Sequence, residues 1–113
     1  MIHLNIGSNL NSNFGNRFVN ISIAIKLLIK EKFIIKKISN FYTTPSYPNK
    51  RLPNFLNIGL IGTFSKRVEE LRNIIAVIER KIGRVKTQKN DPRVCDIDII
   101  DFNGKNLSKG DLT

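Results

Sequence analysis

The sequence lacks the features that define several classes of protein. Its one cysteine excludes an internal disulfide, and no Cys/His cluster has the spacing of a metal site. No apolar run approaches the roughly 20 residues of a membrane span, and the N-terminus, "MIHLNIGSNL", lacks the pattern of a secretory signal. The motif G-x-x-x-x-G-K-S/T is also missing, which excludes a P-loop enzyme. These absences predict a cytoplasmic protein with no membrane association.

Acidic residues are scarce. Asp and Glu number 9 against 19 Lys and Arg, which gives a net charge of +10 over 113 residues. Such a chain attracts polyanions or phosphate ligands. The abundance of Ile, Asn and Lys is also expected from AT-rich codons, so part of the charge belongs to a solvated surface. The length and the ordinary apolar fraction of 41% predict a single domain over residues 1–113.

Hydrophobic periodicity predicts four strands and two helices. The strands are expected at residues 2–6, 33–44, 54–64 and 94–102, and the first helix at about 16–32. Ser65 is expected to cap the second helix, with acidic residues in its first turn, and Gly83 to end it. Asn103-Gly104 is a hairpin turn signal. The apolar stripes of the two helices are Phe18, Ile21, Ile25 and Leu28, then Val68, Leu71, Ile75, Ile78 and Ile82.

The order β-α-β-β-α-β predicts an α+β, ferredoxin-like fold, with an antiparallel sheet and both helices on one face. This fold occurs in RNA-binding modules, metal carriers and enzymes, so function has to be argued from a site.

The segment "RVCDIDIIDF" places two aspartates in an apolar strand. Side chains alternate along a strand, so Cys95, Ile97 and Ile99 would face the helices, while Asp96 and Asp98 would share the other face. Two neighbouring carboxylates repel each other, and Mg²⁺ would relieve that repulsion. The alternative is a solvated pair with Lys or Arg partners.

A basic loop precedes this strand. Arg84, Lys86, Lys89 and Arg93 fall within ten residues, opposed only by Asp91. These cations could form plain salt bridges with the aspartates. Together with carboxylate-bound Mg²⁺, however, they form the constellation that phosphoryl transfer requires.

"TTPSYP" and "PNFLN" are candidate pocket segments. Phe55 offers a flat face for a ring, and Asn57 offers a donor and an acceptor. Local sequence favours core packing for Phe55. The two side chains are expected on opposite faces of the strand, so that both would serve one ligand only at a bulge or a strand edge.

The chain resembles the 6-hydroxymethyl-7,8-dihydropterin pyrophosphokinases of folate biosynthesis. The matching stretches are "IGSNL", "SNFYTTP", "PNFLN", "IERKIGR" and "DPRVCDIDII", which occur in family order across essentially the whole chain. The resemblance implies transfer of pyrophosphate from ATP, the co-substrate, to the pterin hydroxymethyl group. It implies no nucleic-acid partner and leaves the oligomeric state open.

The resemblance also implies site residues. Asp96 and Asp98 would hold two Mg²⁺ ions and act in catalysis with Arg84 and Arg93, and Glu79 would orient its neighbours. The ATP and phosphate contacts would come from Lys86, Lys89, Arg93, Ile99, Leu112 and Thr113. The pterin pocket would contain Gly7, Thr44, Pro45, Tyr47, Phe55 and Asn57.

The chain departs from the family pattern at two places. Asn90 and Asp91 stand where the family has Trp-Gly, in a loop one residue short. The sequence ends before the family's Pro-His segment, which supplies a histidine, an arginine and a second aromatic, so a C-terminally short domain is expected. The alternatives are a homologue that binds pterin or ATP without turnover, and a basic RNA-binding module, although no aromatic-rich RNP-like segment is present.

Overall fold

The computed structural model describes residues 1–46, 51, 53–83 and 93–106. Within these ranges the predicted order of strands and helices is confirmed, with the second strand divided into two and a short sixth strand added. The elements are β1 (Ile2–Ser8), α1 (Arg17–Lys30), β2 (Ile34–Ile38), β3 (Tyr42–Thr44), β4 (Phe55–Thr63), α2 (Val68–Ile82), β5 (Asp96–Phe102) and β6 (Lys105–Asn106).

The strands form one sheet in the order β2-β4-β1-β5-β6, and β3 also pairs with β4. All of these pairings are antiparallel. β1 lies between β4 and β5, so it joins the strand carrying Asn57 to the strand carrying the two aspartates. The α+β, ferredoxin-like prediction is confirmed.

The core lies between the sheet and the two helices. Alternate residues of β1, namely Ile2, Leu4 and Ile6, are fully buried, which is the pattern of a strand with one face covered. Each such side chain contributes about 1.5–3 kcal/mol when fully buried. Among the helices that the structure describes, neither is long and apolar enough to cross a membrane.

Helix α1 begins where predicted but buries a narrower stripe. The Asn16 side chain accepts a hydrogen bond from the Val19 main-chain N–H at 3.1 Å and caps the helix. Phe18 is 48% exposed and lies outside the core, contrary to prediction. Its ring instead meets Phe41 edge to face, with centroids 5.2 Å apart.

The predicted Ser65 cap of helix α2 is wrong. Arg67 occupies the N-cap position without a side-chain hydrogen bond. The first-turn hydrogen bonds start at its carbonyl, which accepts from the Glu70 and Leu71 N–H groups at 3.1 and 3.2 Å. The helix therefore begins at Val68, and Glu69 and Glu70 lie in its first turn, at the positive end of the helix dipole. The prediction that Gly83 ends it is confirmed, at a φ of 122°.

The predicted long second strand is interrupted because a side chain replaces part of the backbone ladder. Ser39 Oγ accepts the hydrogen bond of the Gly59 N–H at 2.8 Å, while the Ser39 N–H donates to the Gly59 carbonyl at 2.9 Å. The strand therefore resumes only at β3, whose three residues pair with the start of β4. This arrangement places Tyr42 and Thr44 beside Asn57.

β5 contains one more residue than the stretch of β1 that it faces. Leu4 pairs with Ile99 and His3 pairs with Asp101, so Ile100 is a β-bulge. Beyond the bulge the predicted Asn103-Gly104 turn is confirmed, with φ values of 54° and 93°.

Candidate active site

The two aspartates lie on the sheet face opposite the helices, as predicted. Asp96 pairs with Gly7 and Asp98 pairs with Asn5 across to β1. Asp96 is half-buried and Asp98 is exposed, whereas Ile97 between them is 5% exposed and belongs to the core. The alternation of β5 thus presents both carboxylates to the same solvent-facing side.

Arg93 forms a salt bridge with the first of these aspartates. Its Nη1 lies 3.2 Å from Asp96 Oδ1, and both side chains are 23% exposed. The salt-bridge alternative therefore describes Asp96 in this structure. A partly exposed pair of this kind contributes about 0–1 kcal/mol, so it is easily exchanged for a more highly charged ligand.

The donor set fits Mg²⁺ bound together with phosphate. Among the residues that the structure describes, no three His, Cys, Asp or Glu side chains converge on one point. A cage made only of protein ligands is therefore not formed by this part of the chain. Two carboxylates on one face match the usual Mg²⁺ site, in which one or two carboxylates share the ion with substrate phosphates and water.

Glu79 fixes the main chain between the two aspartates. Its side chain is 8% exposed on α2, and its Oε2 accepts a hydrogen bond from the Ile97 N–H at 2.8 Å. A buried carboxylate bound to a main-chain N–H holds that strand more firmly than a neutral acceptor would. This contact agrees with the expectation that Glu79 orients its neighbours.

Asn57 forms the centre of a polar pocket on the same sheet face. The residue is 6% exposed, and its Nδ2 donates to Thr44 Oγ1 at 2.9 Å and to the Phe55 carbonyl at 3.4 Å. Thr44 is exposed at the neighbouring strand edge, and Pro45 follows it on the surface. The structure thus groups four of the predicted pterin residues, Thr44, Pro45, Phe55 and Asn57.

The expectation that Phe55 and Asn57 face opposite sides is wrong. Two strand residues separated by one share a face, and both side chains border Gly7. A Cβ built at Gly7 would lie 2.9 Å from Asn57 Oδ1 and 3.4 Å from Phe55 Cδ1. Phe55 is half-buried and is absent from the core cluster, so the preference for core packing is also wrong. Gly7 provides the space that brings these two side chains together.

The aspartates and the amide pocket are connected through β1. Gly7 pairs with Asp96 on one side and with Asn57 on the other. Since neighbouring strands are about 4.8 Å apart, the main chains carrying Asp96 and Asn57 are separated by about 10 Å. The carboxylates and the amide pocket therefore lie on either side of Gly7 on one sheet face.

Two residues of this face were not identified from the sequence. Tyr42 Oη donates to Asn5 Oδ1 at 2.5 Å, and Asn5 Nδ2 donates to Asn57 Oδ1 at 3.3 Å. The only sequence signal for Asn5 is an amide in an alternating strand, and its partners lie 37 and 52 residues away.

Asn9 was also not identified from the sequence. Its side chain connects Ser46 and Pro53, which lie between β3 and β4, to Arg93, just before β5. The residue is 2% exposed, and its Nδ2 donates to Ser46 Oγ at 3.0 Å and to the Pro53 carbonyl at 3.2 Å. Its Oδ1 accepts from the Arg93 N–H at 2.6 Å, and its own N–H donates to the Arg93 carbonyl at 3.0 Å. The Arg93 main chain is thereby fixed at two points.

The remaining predicted site residues fall into two groups. The Ile99 side chain is 5% exposed within the core, which leaves its main-chain atoms for any contact with ATP. The others lie outside the described residues, so their predicted roles stay predictions; they are Tyr47, Arg84, Lys86, Lys89, Leu112 and Thr113.

Comparison with known proteins gives one family and several relatives. Residues 3–113 match the family described as 7,8-dihydro-6-hydroxymethylpterin-pyrophosphokinase (HPPK). The chain is 34% identical over 112 residues to a Dictyostelium discoideum protein named "Folic acid synthesis protein FOL1". It is 36% identical over 101 residues to an Aquifex aeolicus protein, and 35% identical over 83 residues to a Helicobacter pylori protein. Both of these are named 2-amino-4-hydroxy-6-hydroxymethyldihydropteridine pyrophosphokinase.

The matched regions differ in how much of each protein they cover. They include 99%, 88% and 67% of this chain for the Dictyostelium, Aquifex and Helicobacter proteins, but 16%, 59% and 51% of those proteins. The chain therefore spans about half the length of the two bacterial relatives and a small part of the Dictyostelium protein.

Proposed function

Because the chain belongs to the 7,8-dihydro-6-hydroxymethylpterin-pyrophosphokinase family, we propose that it transfers pyrophosphate from ATP to 6-hydroxymethyl-7,8-dihydropterin. The products would be AMP and the pterin diphosphate, as folate biosynthesis requires. The observation that carries this proposal is the pairing of Gly7 with both Asp96 and Asn57, which joins a carboxylate pair to an amide-and-aromatic pocket on one sheet face. The names of the relatives support the same reaction.

The pocket binds and orients the pterin in this proposal. The Asn57 carboxamide recognises the polar edge of the heterocycle, and the Phe55 ring packs against its flat face. Asn57 is held by hydrogen bonds before any ligand arrives, and the Phe55 ring lies beside Gly7 next to it. Holding the hydroxymethyl group in one position lowers the entropic cost of bringing two substrates together.

Asp96 and Asp98 would hold the Mg²⁺, for which we propose two ions. Ions held there would supply positive charge that offsets the negative charge of the phosphate oxygens. Arg93 adds a planar cation that suits phosphate. Its main chain is fixed by Asn9, and its side chain pairs with the half-buried carboxylate of Asp96. Arg84, Lys86 and Lys89 are proposed to add positive charge to the same phosphates, and Ile99, Leu112 and Thr113 to contact ATP.

The test is AMP formation from ATP and hydroxymethyl-dihydropterin in the presence and absence of Mg²⁺. The wild-type chain is expected to form AMP only with the metal. Asp98→Asn and Asp96→Asn are each expected to lower the rate roughly 10²-fold or more, the scale found when a group that stabilises transition-state charge is removed. Asp101→Asn is the matched control, because that carboxylate lies on the same strand beyond the bulge and accepts the Gly104 N–H at 3.3 Å.

A chain that binds both substrates without turnover is the second candidate, favoured by Asn90 and Asp91 in place of the family's Trp-Gly. Calorimetry with a non-hydrolysable ATP analogue, run beside the AMP assay, separates the two candidates. Binding without AMP would support the second candidate and contradict the first, whereas AMP formation would do the reverse. The cytoplasmic location stays a prediction.

A further inference from the structure

The carboxamide of Asn57 is held in one of its two possible orientations. A hydroxyl such as that of Thr44 can donate or accept, so it would tolerate either orientation. The Phe55 carbonyl can only accept, and it lies 3.4 Å from Asn57 Nδ2. The amide nitrogen is therefore required on the side of Phe55, and the oxygen is directed toward Asn5.

Asn57 Oδ1 can only accept, so it requires the amide nitrogen of Asn5, and the Asn5 oxygen is left facing the Tyr42 hydroxyl. Tyr42 Oη donates to Asn5 Oδ1 at 2.5 Å, and Asn5 Nδ2 then donates to Asn57 Oδ1 at 3.3 Å. The hydrogen bonds run from Tyr42 on β3 to Asn5 on β1, then to Asn57 on β4 and back to Thr44 on β3. The network therefore joins three strands of the sheet. We call these four residues the amide network.

The position of Asn5 connects the amide network to the aspartate strand. Asn5 pairs with Gly59 of β4 on one side and with Asp98 of β5 on the other. Gly59 has no side chain to cover Asn5, and a Cβ built there would have ordinary contacts with His3 Nε2 and Ser39 Oγ, each at 3.5 Å. Asn5 thus lies on the open face between the pocket and the carboxylates.

We infer that Asn5 is a positioning residue for the pterin substrate. It keeps Asn57 Oδ1 turned to the open face, where that oxygen has a second lone pair for a hydrogen-bond donor of the heterocycle. The pocket therefore selects a ring that presents a donor at this point. The inference rests on the proposed function, and neither the sequence motifs nor the family resemblance assigns a role to Asn5.

The first experiment measures the equilibrium affinity for hydroxymethyl-dihydropterin without ATP, together with the KM values of both substrates. Asn5→Ala is expected to weaken pterin binding roughly 3- to 10-fold, the factor for one lost orienting hydrogen bond, while the KM for ATP stays within about twofold. Tyr42→Phe keeps the ring and removes only the hydroxyl that donates to Asn5 Oδ1 and holds that side chain in place, so it is expected to act in the same direction. His3→Ala is the matched control, on the same strand and the same face, and should leave pterin binding unchanged.

A double-mutant cycle shows whether Asn5 acts through Asn57. In an Asn57→Ala background, Asn5→Ala should cause no further loss of pterin affinity; an equal further loss would overturn the inference. Thermal unfolding of each variant identifies any loss of fold, and if Asn5→Ala does not fold, Tyr42→Phe decides the question.

Different outcomes contradict the proposed function and the role of Asn5. A wild-type chain that neither binds the pterin nor forms AMP contradicts the proposed function. A wild-type chain that binds the pterin, with Asn5→Ala and Tyr42→Phe binding equally well, contradicts only the role of Asn5.

Discussion

Replacement of Asn9 by alanine should destabilise the protein more than any surface substitution. The Arg93 N–H would lose its 2.6 Å acceptor, and Ser46 Oγ would lose its 3.0 Å donor. The Pro53 carbonyl would keep a partner, since Ser46 Oγ donates to it at 2.7 Å. One N–H left without an acceptor costs about 1–3 kcal/mol and one lost bond about 0.5–1.5 kcal/mol, so the expected total is about 2–4 kcal/mol.

This loss is a large fraction of the 5–15 kcal/mol that holds a typical domain folded. Urea unfolding is the suitable assay, because a slope of about 2 kcal/mol per molar, the middle of the range for small proteins, converts the loss into a midpoint shift of roughly 1–2 M. Asn9→Asp keeps an acceptor for the Arg93 N–H but puts a second carboxylate oxygen against Ser46 Oγ and the Pro53 carbonyl at a buried position, so its loss should be at least as large. The matched control is Asn13→Ala, an exposed asparagine of the same β1–α1 connection, whose effect should stay within about 0.5 kcal/mol. Unfolding of Asn9→Ala at the same urea concentration as the control would refute the stabilising role of the Asn9 hydrogen bonds.

Two further predictions concern close contacts around the site. Gly7→Ala should lower stability by about 1–3 kcal/mol and weaken pterin binding in a titration, because its Cβ would lie 2.9 Å from Asn57 Oδ1. In Gly59→Ala the nearest atoms would lie 3.5 Å from the new Cβ, so this variant should fold at least as well as wild type. Equal stability and equal pterin binding in the two variants would contradict the role given to the space at Gly7. Glu79→Leu removes the acceptor of the Ile97 N–H and should cost about 1–3 kcal/mol in urea unfolding, whereas Glu79→Gln keeps an acceptor and should lose less; the reverse order would show that the hydrogen bond is not what Glu79 contributes.

The parts of the fold that follow from local pattern could be predicted from the sequence. The element order, the end of α2 at Gly83 and the shared face of Asp96 and Asp98 depend on periodicity and on one glycine, and all are confirmed. The errors occur where a distant contact overrides the local signal. Ser39 breaks the second strand because its hydroxyl bonds to Gly59, 20 residues along the chain.

In the candidate site too, local sequence identifies some residues, whereas others matter only through distant contacts. Asn57 attracts attention as an amide in an apolar strand, and the carboxylate pair does so by its spacing. Asn5 and Asn9 carry no such mark, because their importance comes from partners that the chain brings close only after folding, up to 84 residues away for Asn9 and Arg93. A polar residue on an alternating strand is the default for a solvent-facing position, so its sequence context cannot distinguish a network member from an ordinary surface amide.

The single extra residue in β5 changes which alternate positions of the strand face the core. Counting in twos from Ile97 and Ile99 would direct Asp101 into the core and Phe102 into solvent. With Ile100 as a bulge, Asp101 instead pairs with His3 on the open face, and Phe102 packs against the core. Deletion of Ile100 would remove the bulge and leave Ile99, Asp101 and Phe102 in plain alternation, with Asp101 still opposite His3 and Phe102 still toward the core. The doubled isoleucine in "DIDIIDF" therefore lets this strand carry one extra residue without exchanging its two faces.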